Sequence, residues 1–237
     1  MTAGSGLFSK YKAYKEHLSK NRKDGIGGEV AKLRADISAQ LGAAAFLVVE
    51  EWTNPPAAGV ALIKANVATS TSAQTYIKTA LDGTVGQAVF IAPRLLSVTQ
   101  VTAGNHYAGS VTFYGYDAMG KAISEAVALT ANPGGANTTT PTTKYFAQVT
   151  KIVVPAQLDT AAFLSFGISG ATIGLARKIK PRSGAPFLLH EFVDAAVPGT
   201  PGTVSATALP YGAYTPNAAP NGAHDYAIYY EADATVV

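Results

Sequence analysis

Apolar residues recur at helical spacing through residues 1–50, and the pattern predicts two helices. The predicted apolar face of the first helix consists of Leu7, Tyr11, Tyr14 and Leu18. The predicted face of the second consists of Val30, Leu33, Ile37 and Leu41. Asn54-Pro55-Pro56 is expected to end this region, because proline cannot continue a helix and restricts the residue before it.

Beyond Pro56 the periodicity changes to short apolar runs separated by Gly, Pro and Asn, which is typical of β-strands. Asp117-Ala-Met-Gly120 is expected to form a hairpin turn between the runs 110–116 and 122–130. The predicted fold is mainly β, a β-sandwich or jelly-roll-like domain with an N-terminal helical arm, and thus α+β overall. The predicted strands are 60–69, 85–92, 95–102, 110–116, 122–130, 145–154, 161–168, 173–179, 187–193, 204–208 and 226–231.

Three parts follow from this division. Residues 1–55 form a basic helical arm, residues 56–197 a β-sandwich domain, and residues 198–237 an extended tail with a final strand. The tail is rich in Pro, Gly, Ala, Thr and Tyr, so it is expected to lie across a surface and to be ordered by a neighbouring subunit.

Composition favours a protein that works in an assembly. Only 14% of the residues are charged, against roughly 25% in a typical soluble domain. Residues 1–40 have a net charge of +4 and the remaining residues a net charge of −1, so the basic character belongs to the arm. The longest apolar run, Ala43–Val49, is too short to span a bilayer, and no secretory signal is visible, so we expect a soluble protein made in the cytoplasm.

Candidate chemistry is sparse. The absence of cysteine excludes disulfides, thiol nucleophiles and iron–sulfur sites. His17, His106, His190 and His224 are isolated from one another, and no zinc, phosphate-loop or nucleophile-elbow motif is present. Glu50-Glu51 is interpreted as a solvated helix end. We therefore predict a non-enzymatic protein with no cofactor, no metal and no small-molecule substrate.

Two groups of residues are candidates for binding. The arm residues listed above can dock on a partner protein, which we favour over nucleic acid or a membrane because acidic residues dilute the basic charge. Tyr107, Tyr114 and Tyr116 lie within ten residues, and the last two would share one strand face. They can form a subunit interface or stack on a sugar, and aromatic cross-strand pairs favour the interface.

Several β segments resemble a pattern found in structural proteins of tailed bacteriophages. The hairpin 111–129 is similar to one in those proteins, and the runs 143–155, 164–168 and 173–175 follow it in the same style. The endings 212–216 and 220–226 are similar too, although Ala176 stands where those proteins have proline. The resemblance covers about half of the chain and leaves out the helical arm.

The resemblance implies a virion protein at the capsid surface, of the decoration (cement) or head-associated type. Its partners would be the major capsid protein or other virion proteins, and self-association as a trimer would be expected. Two alternatives stay open, namely a neck, tail or baseplate component and a host-glycan-binding module that uses the three tyrosines.

Overall fold

The computed structural model describes residues 45–101, 107–131, 137–158, 160–180 and 188–233. Over these residues the chain is mainly β, and all the strand pairs with an assigned register are antiparallel. Residues Val48–Val237 form one compact unit, and residues up to Leu47 fall outside it. The strands are β1 Ala45–Trp52, β2 Gly59–Ala68, β3 Gln74–Ile77, β4 Val89–Val101, β5 Ser110–Tyr116, β6 Ala122–Ala128, β7 Thr138–Val154, β8 Phe163–Ser169, β9 Ile173–Gly174, β10 Leu188–Val193, β11 Thr203–Ser205, β12 Ala213–Thr215 and β13 Tyr226–Asp233, with one 3₁₀ turn at Lys78–Ala80.

The strands form one large sheet and two small ones. The seven-stranded sheet has the order β2-β8-β4-β7-β5-β6, and β3 pairs with β7 beside this path. The small sheets have the orders β1-β13-β10 and β11-β12-β9. The architecture is sandwich-like, as the sequence pattern predicted.

The large sheet curls around its own core. Phe113 on β5 and Phe166 on β8 are three strand positions apart, which is ~14 Å in a flat sheet. Their ring centroids are nevertheless only 5.9 Å apart, in an edge-to-face arrangement. Side chains from β2, β4, β5, β6, β7 and β8 therefore meet in one buried cluster, and every strand of this sheet turns one face inward.

An aromatic cluster occupies the region of the two small sheets. Trp52 of β1 stacks on Tyr214 of β12 with ring centroids 6.0 Å apart, and Tyr214 contacts Tyr226 of β13 edge-to-face at 6.3 Å. All three side chains are buried. Strands that are far apart in sequence are thus held together by ring contacts.

The structure corrects the prediction for residues 45–52. These residues form β1, in a sheet with β13, and are not the end of a helix. Trp52 is buried, Glu50 is partly buried and Val49 and Glu51 are exposed, which is the alternation of a strand. Pairing with β13 decides the conformation, because the apolar run 45–49 fits either periodicity.

The predicted strands 85–92 and 95–102 are also corrected, since β4 runs without interruption from Val89 to Val101. Pro93 cannot donate a ladder hydrogen bond, and the pairing of β4 with β7 shifts register between Val89 and Arg94. Pro93 is therefore accommodated by an irregularity within β4, and the strand continues beyond it. β3 and β12 were not predicted, and both are shorter than five residues.

The predicted tail is ordered by its own chain. β12 pairs with β9 and β13 pairs with β10, so residues after 198 join strands from before it. Tyr214 is fully buried. Residues on the two sides of the predicted boundary at 197/198 therefore pack together.

The apolar faces of the predicted helical arm, Leu7 to Leu18 and Val30 to Leu41, lie outside the described residues. No helix in the described ranges is both long and apolar enough to cross a membrane.

Candidate interaction surface

The outer face of the large sheet carries a broad, weakly charged surface. Pairing across β4, β7, β5 and β6 aligns Val89, Gln148, Tyr116 and Ala122, because directly opposed residues project to the same side. A second row across β3, β7, β5 and β6 contains Ile77, Lys151, Tyr114 and Ser124, and a third contains Thr75, Val153, Thr112 and Ala126. We call these residues, with Ile91, the outer face.

Large apolar side chains of the outer face are exposed. The exposed fractions are 65% for Val89, 56% for Ile77, 54% for Ile91 and 41% for Tyr116. Single exposed apolar residues are common on protein surfaces, but several on one sheet face form a patch that is typical of an interaction site.

Lys151 is the one charged residue of the outer face. Its ammonium group lies 3.9 Å from the ring centroid of Tyr114, and this cation–π contact stabilises the charge. Because the remaining polar residues are Thr, Ser and Gln, a partner can cover this face at a small desolvation cost.

The three tyrosines selected from the sequence do not form one group. Tyr114 and Tyr116 share the outer face as predicted, on β5. Tyr107 is buried, and its hydroxyl lies 2.8 and 2.9 Å from the carbonyl oxygens of Val101 and Phe163, which share its one hydrogen. Tyr107 therefore supports the packing of β4 and β8 and cannot belong to a surface platform.

Sequence reasoning missed Ile77, Val89 and Ile91. Val89 and Ile91 lie in a continuous apolar run in which Phe90 and Ala92 are the buried residues. Such a run shows no polar alternation, so nothing in it marks which side faces outward. Ile77 belongs to β3, which the sequence did not predict.

Glu50 has a buried partner. Tyr230 donates its hydroxyl hydrogen to Glu50 Oε1, and the Ala176 N–H donates to the same oxygen at 2.9 Å. Burial raises the pKa of the Glu50 carboxyl above its ordinary value of 4.5, and these two hydrogen bonds offset part of the rise. The interpretation of Glu50 as part of a solvated helix end is therefore wrong, although Glu51 is exposed.

The raised pKa of Glu50 predicts a pH dependence of stability. The folded state binds the proton more tightly than the unfolded chain, so this contribution is complete below 4.5 and is lost as the pH rises through the folded-state pKa. In Glu50→Gln the amide oxygen can accept both hydrogen bonds without a charge. We expect this variant to be more stable than the parent at pH 8 and to lose this component of the pH dependence, as measured by urea unfolding at pH 5 and pH 8. A parent whose advantage over the variant grows with pH would contradict the assignment.

A second carboxylate–tyrosine pair lies in the same region. Glu191 is buried, accepts a hydrogen bond from the Tyr214 hydroxyl and receives the Gly202 N–H at 2.6 Å. Burial raises the pKa of the Tyr214 hydroxyl well above its usual range, and the nearby Glu191 carboxylate raises it further. Burial also raises the pKa of Tyr226, to about 12. Both phenols stay protonated and act as hydrogen-bond donors or packing groups.

Arg94 is the largest of the fully buried side chains. Its Nη1 donates to the carbonyl oxygen of Pro56 at 2.7 Å and its Nη2 to that of Gly170, while Nε has no partner. Burial lowers the pKa of Arg94 from 12.5 to about 10, so the side chain is still charged at neutral pH. Arg94 thus ties the segment before β2 to the loop after β8.

His224 acquires a partner that the sequence does not indicate. Its Nδ1 lies 2.8 Å from Asp194 Oδ2, and Asp194 Oδ1 accepts the Asp225 N–H at 2.9 Å. Asp225 in turn accepts the Asn54 N–H at 3.1 Å. These contacts join three loops. The described residues contain no group of three or more His, Cys, Asp or Glu side chains that could hold a metal ion.

The outer face is the candidate site that these observations favour, because it is extensive, apolar and accessible. Comparison with protein-family models, with curated proteins and with solved structures finds no match to this chain.

Proposed function

We propose that this protein is a non-enzymatic structural component of a tailed-phage particle that binds and stabilises the assembled head as a decoration protein. The observation that carries the proposal is the exposed, nearly uncharged outer face. The β5–β6 hairpin also contains the segment that resembles phage structural proteins. A jelly-roll topology, a trimeric state and the major capsid protein as partner belong to the same proposal.

The physical argument concerns where a decoration protein gains its binding energy. A specific interface needs ~800 Å² per partner. Ile77, Val89, Ile91 and Tyr116 offer apolar area that a shell surface can remove from water. A protein that binds the assembled shell better than the free subunits stabilises the shell by mass action. The predicted arm, with Leu33 and Ile37 on its second apolar face, would add a further contact.

The experiment is saturation binding of the purified chain to assembled, emptied phage heads, counted as copies per particle. We expect saturable, high-copy binding that falls at least ~10-fold in affinity for Val89→Lys/Ile91→Lys, because two buried ammonium groups cost more than the ~1.4 kcal/mol of a tenfold change. Thr200→Lys, at an exposed position on another sheet's loop, is the matched control and should bind like the parent.

Variants of the arm distinguish the two proposed contacts. Leu33→Asp/Ile37→Asp tests the second predicted helix in the full chain, and loss of binding in this variant alone would assign docking to the arm. Any deletion of the arm must stop before β1, because Glu50 and Trp52 are packed in the fold. Saturation at a few copies per particle would favour the neck, tail or baseplate, and no binding would reject the head-decoration proposal.

A second candidate function is recognition of a host glycan. Tyr114 and Tyr116 lie two residues apart on one exposed strand face, beside Lys151 and Gln148, which can donate hydrogen bonds to sugar hydroxyls. We expect Tyr114→Ala/Tyr116→Ala to abolish binding on a glycan array if this function holds, with unchanged circular dichroism. An array on which the parent binds no glycan would reject this candidate.

A further inference from the structure

Asn221-Gly222 is the only Asn-Gly dipeptide in the sequence. Asparagine is a thermolabile residue, and a following glycine has no Cβ atom to shield its backbone nitrogen. Both residues are exposed, and a Cβ atom at Gly222 would meet nothing within 4 Å. Water therefore reaches the position at which the sequence most favours loss of a side-chain amide.

The dipeptide lies where three loops meet, at one end of the sheet β1-β13-β10. One loop follows β1, one follows β10 and one precedes β13. The Asn54 N–H donates to the Asp225 carboxylate at 3.1 Å, and the Asp225 N–H donates to Asp194 Oδ1 at 2.9 Å. The Asp194 N–H in turn donates to the Asp225 carbonyl oxygen at 2.9 Å. We call these residues, with Pro55 and 221–224, the loop junction.

The loop junction holds both groups that would have to react. Deamidation begins when the Gly222 nitrogen attacks the side-chain carbonyl carbon of Asn221. The Gly222 N–H instead donates to the Pro55 carbonyl oxygen at 3.0 Å. Asn221 Oδ1 accepts the N–H groups of Ala223 and His224 at 2.8 and 3.1 Å, a local pattern that fixes the side chain.

The direction of the Gly222 N–H is decisive. The attacking species is the deprotonated amide, whose electron pair lies along the former N–H bond. While that bond points at the Pro55 carbonyl oxygen, the electron pair cannot reach the carbonyl carbon of Asn221. The reaction therefore requires the loop that precedes β13 to separate from the loop that follows β1.

We propose that Asn221 is a deamidation site gated by the loop junction, protected while the junction is closed and modified when it opens. In the open form the Gly222 nitrogen bonds to Cγ of Asn221, the Cγ–Nδ2 bond breaks, and the proton lost by Gly222 leaves with Nδ2 as ammonia. Water then opens the cyclic imide at either carbonyl and gives aspartate or isoaspartate. The proposal goes beyond the decoration role and does not depend on it.

The isoaspartate product would keep the junction from closing as before. Its backbone runs through Cγ, which adds one carbon atom to the chain before Gly222. The former side-chain carbonyl becomes part of the peptide bond, so the N–H groups of Ala223 and His224 lose their acceptor. Because the step is irreversible, a transient opening becomes a lasting change at this end of the sheet.

The test follows Asn221 in the full chain at pH 8 by peptide mapping that separates asparagine, aspartate and isoaspartate. We expect the folded chain to react at least ~10-fold more slowly than the chain unfolded in guanidinium chloride, the factor for an opening free energy of ~1.4 kcal/mol. The same opening frees the Gly222 N–H, so hydrogen exchange of this amide should be slowed by the same factor.

Asp225→Ala tests the gate, because it removes the acceptor of the Asn54 N–H without altering the dipeptide. It should deamidate several-fold faster than the folded parent. Asp82→Ala, the same change at an exposed carboxylate outside the junction, should react like the parent. Near-ultraviolet circular dichroism checks that both variants fold. If Asp225→Ala does not fold, the two protection factors of the parent decide.

Three results would overturn the proposal. The first is a folded parent that deamidates as fast as the unfolded chain. The second is a Gly222 amide whose exchange is unprotected or is slowed by a different factor from deamidation. The third is a folded Asp225→Ala variant that reacts at the rate of the parent.

Discussion

Gly167→Ala should abolish the folded state or destabilise it by more than ~4 kcal/mol, the range of exceptionally severe single substitutions. Gly167 lies in β8, between β2 and β4. A Cβ atom at this position would lie 1.9 Å from the Gly59 carbonyl oxygen and 2.5 Å from the Val60 carbonyl carbon. Both contacts are with backbone, so no side-chain rotation can relieve them, and β2 would have to leave the sheet. Urea unfolding followed by near-ultraviolet circular dichroism measures the effect.

Gly199→Ala is the matched control for Gly167→Ala. A Cβ atom at Gly199 would meet nothing within 4 Å, and this residue does not have a positive φ. The control should unfold within ~0.5 kcal/mol of the parent, as surface substitutions usually do. If Gly167→Ala unfolds at the same urea concentration as Gly199→Ala, the close approach of β2 to β8 is not as described.

Arg94→Ala should cost ~3–5 kcal/mol, the range for truncating the largest buried side chains. The substitution leaves a cavity beside β4 and removes the donors to the carbonyl oxygens of Pro56 and Gly170. Pro56 lies just before β2 and Gly170 just after β8. Because Arg94 joins these two segments, the variant should also loosen β2 at the edge of the sheet. Hydrogen exchange of β2 amides, compared with those of β5, reports that local effect.

Arg94→Met separates packing from hydrogen bonding at this site. Methionine fills most of the volume and brings no charge into the buried position, so it should recover part of the loss. Equal stability of Arg94→Met and Arg94→Ala would show that the two hydrogen bonds carry the whole effect. An Arg94→Ala variant as stable as the parent would contradict the role assigned to this side chain.

The fold could be predicted from sequence where local chemistry decides the conformation. Asp117 and Gly120 illustrate this, because the Asp117 carboxylate accepts the N–H groups of Met119 and Lys121, and Gly120 takes a positive φ of 75°. The hairpin was predicted from these turn-forming residues between two alternating runs, and β5 has the predicted bounds. Tyr114 and Tyr116 were placed on one face by strand periodicity alone.

The sequence-based prediction failed where contacts with residues distant in the chain decide the local conformation. Residues 45–49 fit a helix or a strand equally well, and pairing in a sheet with β13, close to the other end of the chain, selects the strand. Glu50 was interpreted as solvated because nothing in the local sequence reveals its hydrogen-bond donor, Tyr230, which is 180 residues away. The outer face was only partly predicted, since the exposure of Val89 and Ile91 follows from which side of β4 meets the core.

The pairing of β1 in a sheet with β13 also sets the order in which the chain can be completed during translation. β1 leaves the ribosome well before its partners, because Tyr230, which lies in the neighbouring strand β13 and binds Glu50, is translated 180 residues after Glu50. At ~5–20 residues per second, those 180 residues take on the order of 10 s or longer, and β1 stays without its partner for that time. Nascent β1, with the sequence AFLVVEEW, is then an unpaired apolar strand. A ribosome-stalled chain that ends before Tyr226 should therefore retain protease-sensitive β1, whereas release of the full chain protects it.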